Sequence, residues 1–206
     1  MAALRTLLYA VIAAASLVLP AAAQTPAGSG GPGTESARSS WLPPAGRSYL
    51  GLNLGRSRYT LPCGSTAFLC DDRDRSVQLH AGNMTGDFWG VELGYLDMGR
   101  IARGGGDTRA RGLNLSLIAK APVARSFGVF GKVGTTYGRT ETSSVSGSGI
   151  KPGTEHGFGL SYGAGVSYDF TPRLSAVLEW DSNDFHFAGS GRDPVRSTSL
   201  GLQYRY

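Results

Sequence analysis

The chain has 206 residues, of which 31 are glycine, with 10% aromatic and only 17% charged residues and a formal net charge of +5. That length holds one domain of ordinary size, and so much glycine beside so little charge is unusual for a soluble enzyme. A modest positive charge suits contact with anionic lipid or lipopolysaccharide phosphate and does not by itself single out nucleic acid.

The start of the chain reads as an export signal. Met1-Ala-Ala-Leu-Arg5 carries one positive charge, the apolar run Leu7 to Leu19 follows, and Pro20-Ala-Ala-Ala-Gln24 supplies small residues for a signal peptidase. The order of basic start, short apolar core and Ala-x-Ala is that of a secretory signal. An uncleaved anchor helix is the alternative, but the core is short for a bilayer span. Residues 1–23 are thus expected to be a cleaved signal peptide, whose loss removes Arg5 and lowers the formal charge from +5 to +4. Export argues against a nucleic-acid partner, and the lack of a cysteine after the small residues argues against a lipoprotein. Residues 24–46, rich in Gly, Pro and Ser, cannot bury enough apolar area to fold alone and read as a flexible periplasmic leader.

From residue 47 to the end the pattern becomes one of strict alternation, which sorts a strand into two faces and would scatter around a helix. Leu50, Leu52 and Leu54 oppose Tyr49, Gly51, Asn53 and Gly55 in the first strand. Cys63 and Cys70 follow, close enough in an oxidising compartment to form a disulfide. A zinc site is the other reading of the pair, but no His or further Cys stands nearby to complete four ligands. Val77, Leu79 and Ala81 oppose Gln78, His80 and Gly82; Trp89, Val91, Leu93 and Tyr95 oppose Gly90, Glu92 and Gly94. Leu113, Leu115 and Leu117 oppose Asn114 and Ser116; Val129, Val133, Thr135 and Tyr137 oppose Lys132 and Gly134. Phe158, Leu160, Tyr162, Ala164, Val166 and Tyr168 oppose a row of Gly, Ser and Asp169, while Leu174, Ala176, Leu178 and Trp180 oppose Ser175, Glu179 and Asp181. The eighth strand ends the chain, with Thr198, Leu200, Leu202, Tyr204 and Tyr206 opposite Ser197, Ser199, Gly201, Gln203 and Arg205.

A soluble sandwich also alternates, but its large apolar face looks inward and its polar face meets water. Here the minority face is Gly, Ser and single charges, which suits the cramped interior of a closed eight-stranded barrel with its large apolar residues toward lipid. Three connections are tight, at Met84 to Asp87, Ala121 to Ser126 and Phe170 to Arg173. The four between them, about 57–75, 99–108, 138–157 and 184–195, read as longer loops. That alternation places short turns in the periplasm, long loops outside and both chain ends in the periplasm. The fold class expected is all-β, an eight-stranded antiparallel up-and-down transmembrane barrel over residues 47–206, in the outer membrane of a Gram-negative bacterium.

Phe88-Trp-Gly-Val-Glu-Leu-Gly-Tyr-Leu-Asp-Met-Gly99 resembles the third strand of the OmpA-like outer-membrane barrel family. Gly163-Ala-Gly-Val-Ser-Tyr-Asp-Phe-Thr-Pro172 and Leu200-Gly-Leu-Gln-Tyr-Arg-Tyr206 resemble its sixth and eighth strands. The resemblance covers about residues 47 to 206 and implies the barrel alone, without the peptidoglycan-binding domain of the family's longest members. It also implies that Leu200, Leu202, Tyr204 and the terminal aromatic Tyr206 carry the signal read by the outer-membrane assembly machinery, where the family usually ends in Phe. These barrels serve as anchors, adhesins and structural proteins, so the likeness speaks to fold more than to role.

Several side chains are candidates for function. By parity Glu92, Lys132 and Glu179 point inward at a similar height, so Lys132 is expected to bridge one or both carboxylates. A salt-bridged plug is the plain reading and a proton path or gated pore the sharper one; His80 and Arg205 are further candidate partners. Arg100, Arg103, Arg109 and Arg111 cluster near the second loop and Arg192 and Arg196 near the fourth, where guanidinium forks suit lipopolysaccharide phosphates, with ordinary solvated loop charge as the alternative. A lipid-modifying enzyme would need a Ser and a His together near the outer rim; Asp181, Ser182, His186 and His156 lie there without a recognisable motif. Gly104-Gly-Gly106 and Gly147-Ser-Gly149 read as loops, and no nucleotide or metal fingerprint appears, so no cofactor is expected. The function expected is a non-enzymatic surface barrel for envelope integrity or adhesion, with a ligand for its loops; a lipid-modifying enzyme or a small pore is the alternative.

Overall fold

The computed structural model describes residues 47–63 and 70–206. The expected signal peptide, 1–23, and leader, 24–46, lie outside the described residues. Eight antiparallel strands follow in chain order: β1 Ser48–Tyr59, β2 Arg73–Met84, β3 Trp89–Arg103, β4 Gly106–Pro122, β5 Phe127–Thr142, β6 Gly153–Asp169, β7 Leu174–Phe187 and β8 Gly191–Arg205. Each pairs with the next, and β1 pairs with β8 from Tyr49↔Arg205 to Tyr59↔Val195, so the sheet closes into a barrel with no free edge.

The faces are sorted as an inverted soluble protein would be. Leu52 is 48% and Leu200 63% exposed, whereas their inward neighbours Asn53 and Ser199 are 0% and 2% exposed. Leucines left open over the whole circumference are stable only against hydrocarbon, and β-branched and aromatic neighbours complete that belt. Aromatic pairs edge it: Phe127 and Tyr168 lie 4.8 Å apart toward the end that holds the termini, and Tyr137 and Phe158 lie 4.9 Å apart toward the other. Tyrosine and tryptophan favour such levels because one end of each ring system is apolar and the other wet.

At the terminal end β2–β3, β4–β5 and β6–β7 are joined by tight turns at 85–88, 123–126 and 170–173. The opposite, loop end departs from the expectation of four long loops. Only 60–72 and 143–152 are of that kind; β3 and β4 are joined by Gly104 and Gly105 alone, and β7 and β8 by 188–190. Gly104 and Gly105 have φ of 58° and 73°, the left-handed pair that a two-residue hairpin turn requires and that glycine adopts without steric cost. Glycine and charge in 99–108 and 184–195 therefore mark strands that rise past the lipid into water, not irregular loops.

The outward row of β8 yields a direct test of the face assignment. Leu202 faces out at 55% exposure and Gln203 is buried inside. Leu202→Asp therefore puts a charge on the lipid face and is expected to destabilise the barrel, by less than the roughly 2–4 kcal/mol that a Lys or Arg costs at mid-bilayer. Heat-modifiable mobility of membrane-fraction protein should be lost for Leu202→Asp and kept for Gln203→Asn; equal assembly of both would overturn the face assignment.

Candidate functional site

The lumen is layered along its length. Nearest the terminal end is a cavity of about 330 Å³ with Tyr49, His80, Ile118, Phe130, Val177 and Gln203 among its lining residues. Above it Lys132 on β5 meets carboxylates from two other strands. Its Nζ lies 2.9 Å from Glu92 Oε1, is in direct contact with Glu179, and is 3.7 Å from Asp181 Oδ1. An ammonium has three N–H donors and no acceptor, so three carboxylates around it match its donor count. Tyr49 donates its hydroxyl to Glu92 at 2.8 Å, and Asn53 Nδ2 donates to Glu179 at 3.0 Å, which supplies further partners to both acids.

A neutral polar layer follows. Asn114 Nδ2 donates to Thr136 Oγ1 at 2.9 Å and to Ser161 Oγ at 2.6 Å, and Thr136 donates to Asn183 Oδ1 at 2.9 Å. Gln78 Nε2 donates to Ser197 Oγ at 2.9 Å. Toward the loop end the lumen turns apolar: Tyr59, Leu96, Met98, Ile101, Ala110, Phe185, Phe187 and Val195 form one buried cluster. Buried polar groups are ordinarily paired and apolar ones packed. The layers follow this at the contacts above, while Asn53 Oδ1, Ser76 Oγ and Ser182 Oγ are buried without a hydrogen-bond partner among the described residues.

The structure thus brings Glu92, Lys132 and Glu179 together and adds Asp181. That residue was read from the sequence as a rim residue; its parity, two positions beyond Glu179, already put it on the inner face. Arg205 is not part of the cluster, because it pairs with Asp169 at 2.8 Å near the terminal end. His80 lines the space below the cluster and is buried.

The candidate arginines separate into three situations. Arg100 pairs with Asp107 at 3.3 Å, Arg109 pairs with Asp97, and Arg111 Nε is 3.7 Å from the same Asp97. Arg103 is a correction to the sequence reading: it turns into the lumen, is 3% exposed, and donates to Ser190 Oγ at 3.4 Å, so it cannot face lipid. A register shift between Asp97 and Arg100, with Gly99 at φ 75°, reverses inside and outside for the rest of β3. Arg192 and Arg196 are exposed with no carboxylate within salt-bridge reach among the described residues. Cys63 and Cys70 are joined in a disulfide with Cα atoms 5.7 Å apart. Leu200, Leu202, Tyr204 and Tyr206 all stand exposed in the outward row.

A family model described as the outer membrane protein beta-barrel domain matches residues 10–206. The chain belongs to that family. Among solved members of this architecture, Neisserial surface protein A is 14% identical with a TM-score of 0.61, the match covering 79% of this chain and 98% of that one. The attachment invasion locus protein Ail of Yersinia pestis is 18% identical with a TM-score of 0.53, covering 79% and 99%. OprG from Pseudomonas aeruginosa is 15% identical with a TM-score of 0.52, covering 79% and 97%. No match was found among curated proteins. At these identities the structural likeness speaks to the outer-membrane barrel fold, and the layered lumen is argued from this chain's own residues.

Because Lys132 is enclosed by three acids, Lys132→Ala is expected to destabilise the barrel by about 3–5 kcal/mol. Arg100→Ala breaks a solvent-exposed pair and should cost only ~0–1 kcal/mol. Urea unfolding in lipid vesicles measures both, and replacing Glu92 and Glu179 by Gln alongside Lys132→Ala should recover part of the loss. Wild-type stability of Lys132→Ala would rule out an interior held by this ion cluster.

Proposed function

We propose that this outer-membrane barrel is a non-enzymatic anchor that supports envelope integrity or surface contact. The observation that carries this reading is the double closure of its lumen. The ion cluster at Lys132 fills one level, and the aromatic and aliphatic cluster around Phe185 and Phe187 fills another. A conduit needs a continuous wet path, and two unlike seals in series would both have to open.

The same reading puts the termini and short turns in the periplasm and the loop end outside, following the usual contrast of short periplasmic turns with longer external connections. Leu200, Leu202, Tyr204 and Tyr206 then form the outward row presented to the assembly machinery. The disulfide-tied connection 60–72 and the connection 143–152 are the surfaces available to a host or surface ligand. Arg192 and Arg196 sit where lipopolysaccharide phosphates approach, whereas Arg100, Arg109 and Arg111 are already answered by Asp107 and Asp97. A hydrolytic role lacks support because Ser182 and His186 stand four positions apart on one strand, about 13 Å along it, and Asp181 is held in the lumen beside Lys132.

Two measurements test the reading. Purified barrel in planar bilayers should give no discrete conductance steps, and lipid A from cells with and without the protein should have the same mass spectrum. Cells lacking it should be more sensitive to detergent. Regular single-channel steps, or a lipid A species that depends on the protein, would replace the anchor reading with a pore or an enzyme.

A further inference from the structure

Strand register places the outward side chains of β8, β1 and β2 in rows. Leu202, Leu52 and Leu79 form one row and Leu200, Leu54 and Val77 the next toward the loop end. The row above is Thr198, Arg56 and Arg75, and the one above that is Arg196, Arg58 and Arg73. The apolar wall therefore ends abruptly in five arginines, all exposed. With strands about 4.8 Å apart and alternate residues about 6.8 Å apart along a strand, the five Cα atoms fit a patch of roughly 10 by 7 Å.

Like charges directly opposite one another on neighbouring strands are destabilising. Here Arg58 faces both Arg196 and Arg73, and Arg56 faces Arg75. Among the described residues one carboxylate is within salt-bridge reach of the patch: Asp72 lies 2.9 Å from Arg58 Nε and 3.6 Å from Arg73 Nε. Arg56, Arg75 and Arg196 have no carboxylate within salt-bridge reach among the described residues. Asp74 is committed elsewhere, accepting from the backbone N–H of Arg100 at 2.6 Å. Residues 64–69, Gly-Ser-Thr-Ala-Phe-Leu, carry no charge and cannot supply the missing anion. The contrast with the other side of the barrel is sharp. There Arg100, Arg109, Arg111 and Arg139 each have a carboxylate, from Asp107, Asp97 or Glu141.

We propose that the arginine patch on β8, β1 and β2 is a binding site for the phosphate groups of a phosphorylated lipid headgroup, of the lipid A class, in the outer leaflet. The patch begins where the leucine rows stop, so a lipid lying along those rows brings its phosphate to the guanidinium forks. Such forks bind phosphate oxygens bidentately, and several forks around one diphosphorylated headgroup relieve the repulsion between them. The site rests on the orientation proposed above, with the loop end outside.

The test uses purified full barrel in non-ionic maltoside micelles, with bound lipid counted by native mass spectrometry. Bisphosphorylated lipid A should stay bound to wild type, and the combined Arg56→Gln, Arg75→Gln and Arg196→Gln variant should bind it about tenfold or more weakly. Arg100→Gln with Arg109→Gln and Arg111→Gln should change binding by less than about twofold, since those charges are already paired. Dephosphorylated lipid A should bind wild type no better than the triple variant. Should the triple variant not refold, Arg75→Gln alone is compared, with a smaller loss in the same direction. Equal binding by wild type and the β8–β1–β2 variant, or equal binding of phosphorylated and dephosphorylated lipid, overturns the site. Orientation is read separately with an epitope inserted in 143–152: antibody access on intact cells supports the outer-leaflet assignment. Access only after cells are opened puts the patch at the wrong leaflet, and the proposal falls with that reading.

Discussion

Hydrocarbon offers no hydrogen-bond partner, so every backbone N–H and C=O at membrane depth must be paired within the sheet. The β1–β8 pairing meets that demand, and the rest of the structure follows from it. Closure turns the alternation of a strand into an outside and an inside rather than two sides of a layer. Leu50, Leu52 and Leu54 then face lipid because Tyr49, Gly51 and Asn53, on the other face of the same strand, point into a narrow ring. In a soluble sheet the same residues would have to swap roles.

A ring of eight strands leaves too little room for solvated charge, so its interior is a packing and pairing problem. Lys132 reaches acids on β3 and β7, strands that are not its neighbours, and so ties opposite walls of the barrel together. Asn114, Thr136, Ser161 and Asn183 continue the bracing with short neutral side chains. Tyr59 bridges polar and apolar layers: its ring belongs to the cluster with Phe187, while its hydroxyl donates to the Met98 carbonyl at 3.2 Å. The Lys132 cluster lies between the apolar residues Ile118, Phe130 and Val177 toward the terminal end and the cluster around Phe185 toward the loop end, which divides the lumen into levels held by different forces.

The outer surface repeats the theme of paired and unpaired charge. On β3, β4 and β5 the arginines above the lipid belt are answered by Asp97, Asp107 and Glu141, so that arc is close to neutral. On β8, β1 and β2 two of the five guanidinium groups, Arg58 and Arg73, share Asp72, and the other three have no carboxylate within salt-bridge reach among the described residues. A barrel that distributes its counter-charges so unevenly presents different chemistry to its surroundings on different sides. Arginine count alone does not reveal this, because pairing depends on which strands are neighbours.

Much of this architecture is legible in the residue order. A two-residue period with leucine on one face and glycine or serine on the other states the strand, its two faces and, through inverted polarity, the medium. Glu92, Lys132 and Glu179 could be placed inside by parity alone, and at similar heights by counting from the short turns. Parity counting fails where the backbone inserts a residue. The bulge at Gly99 reverses β3 beyond Met98, which sends Arg103 into the lumen and Arg100 outward, and no alternation pattern announces it. Composition misleads at 99–108 and 184–195, where glycine and charge accompany both water-exposed strand and irregular loop. Asp181 as a partner of Lys132, and Arg56, Arg58, Arg73, Arg75 and Arg196 as one patch, depend on register across strands distant in the chain. Local alternation is a property of each segment and could be read segment by segment; which charges meet is set by barrel closure and strand register, and only the tertiary structure decides it.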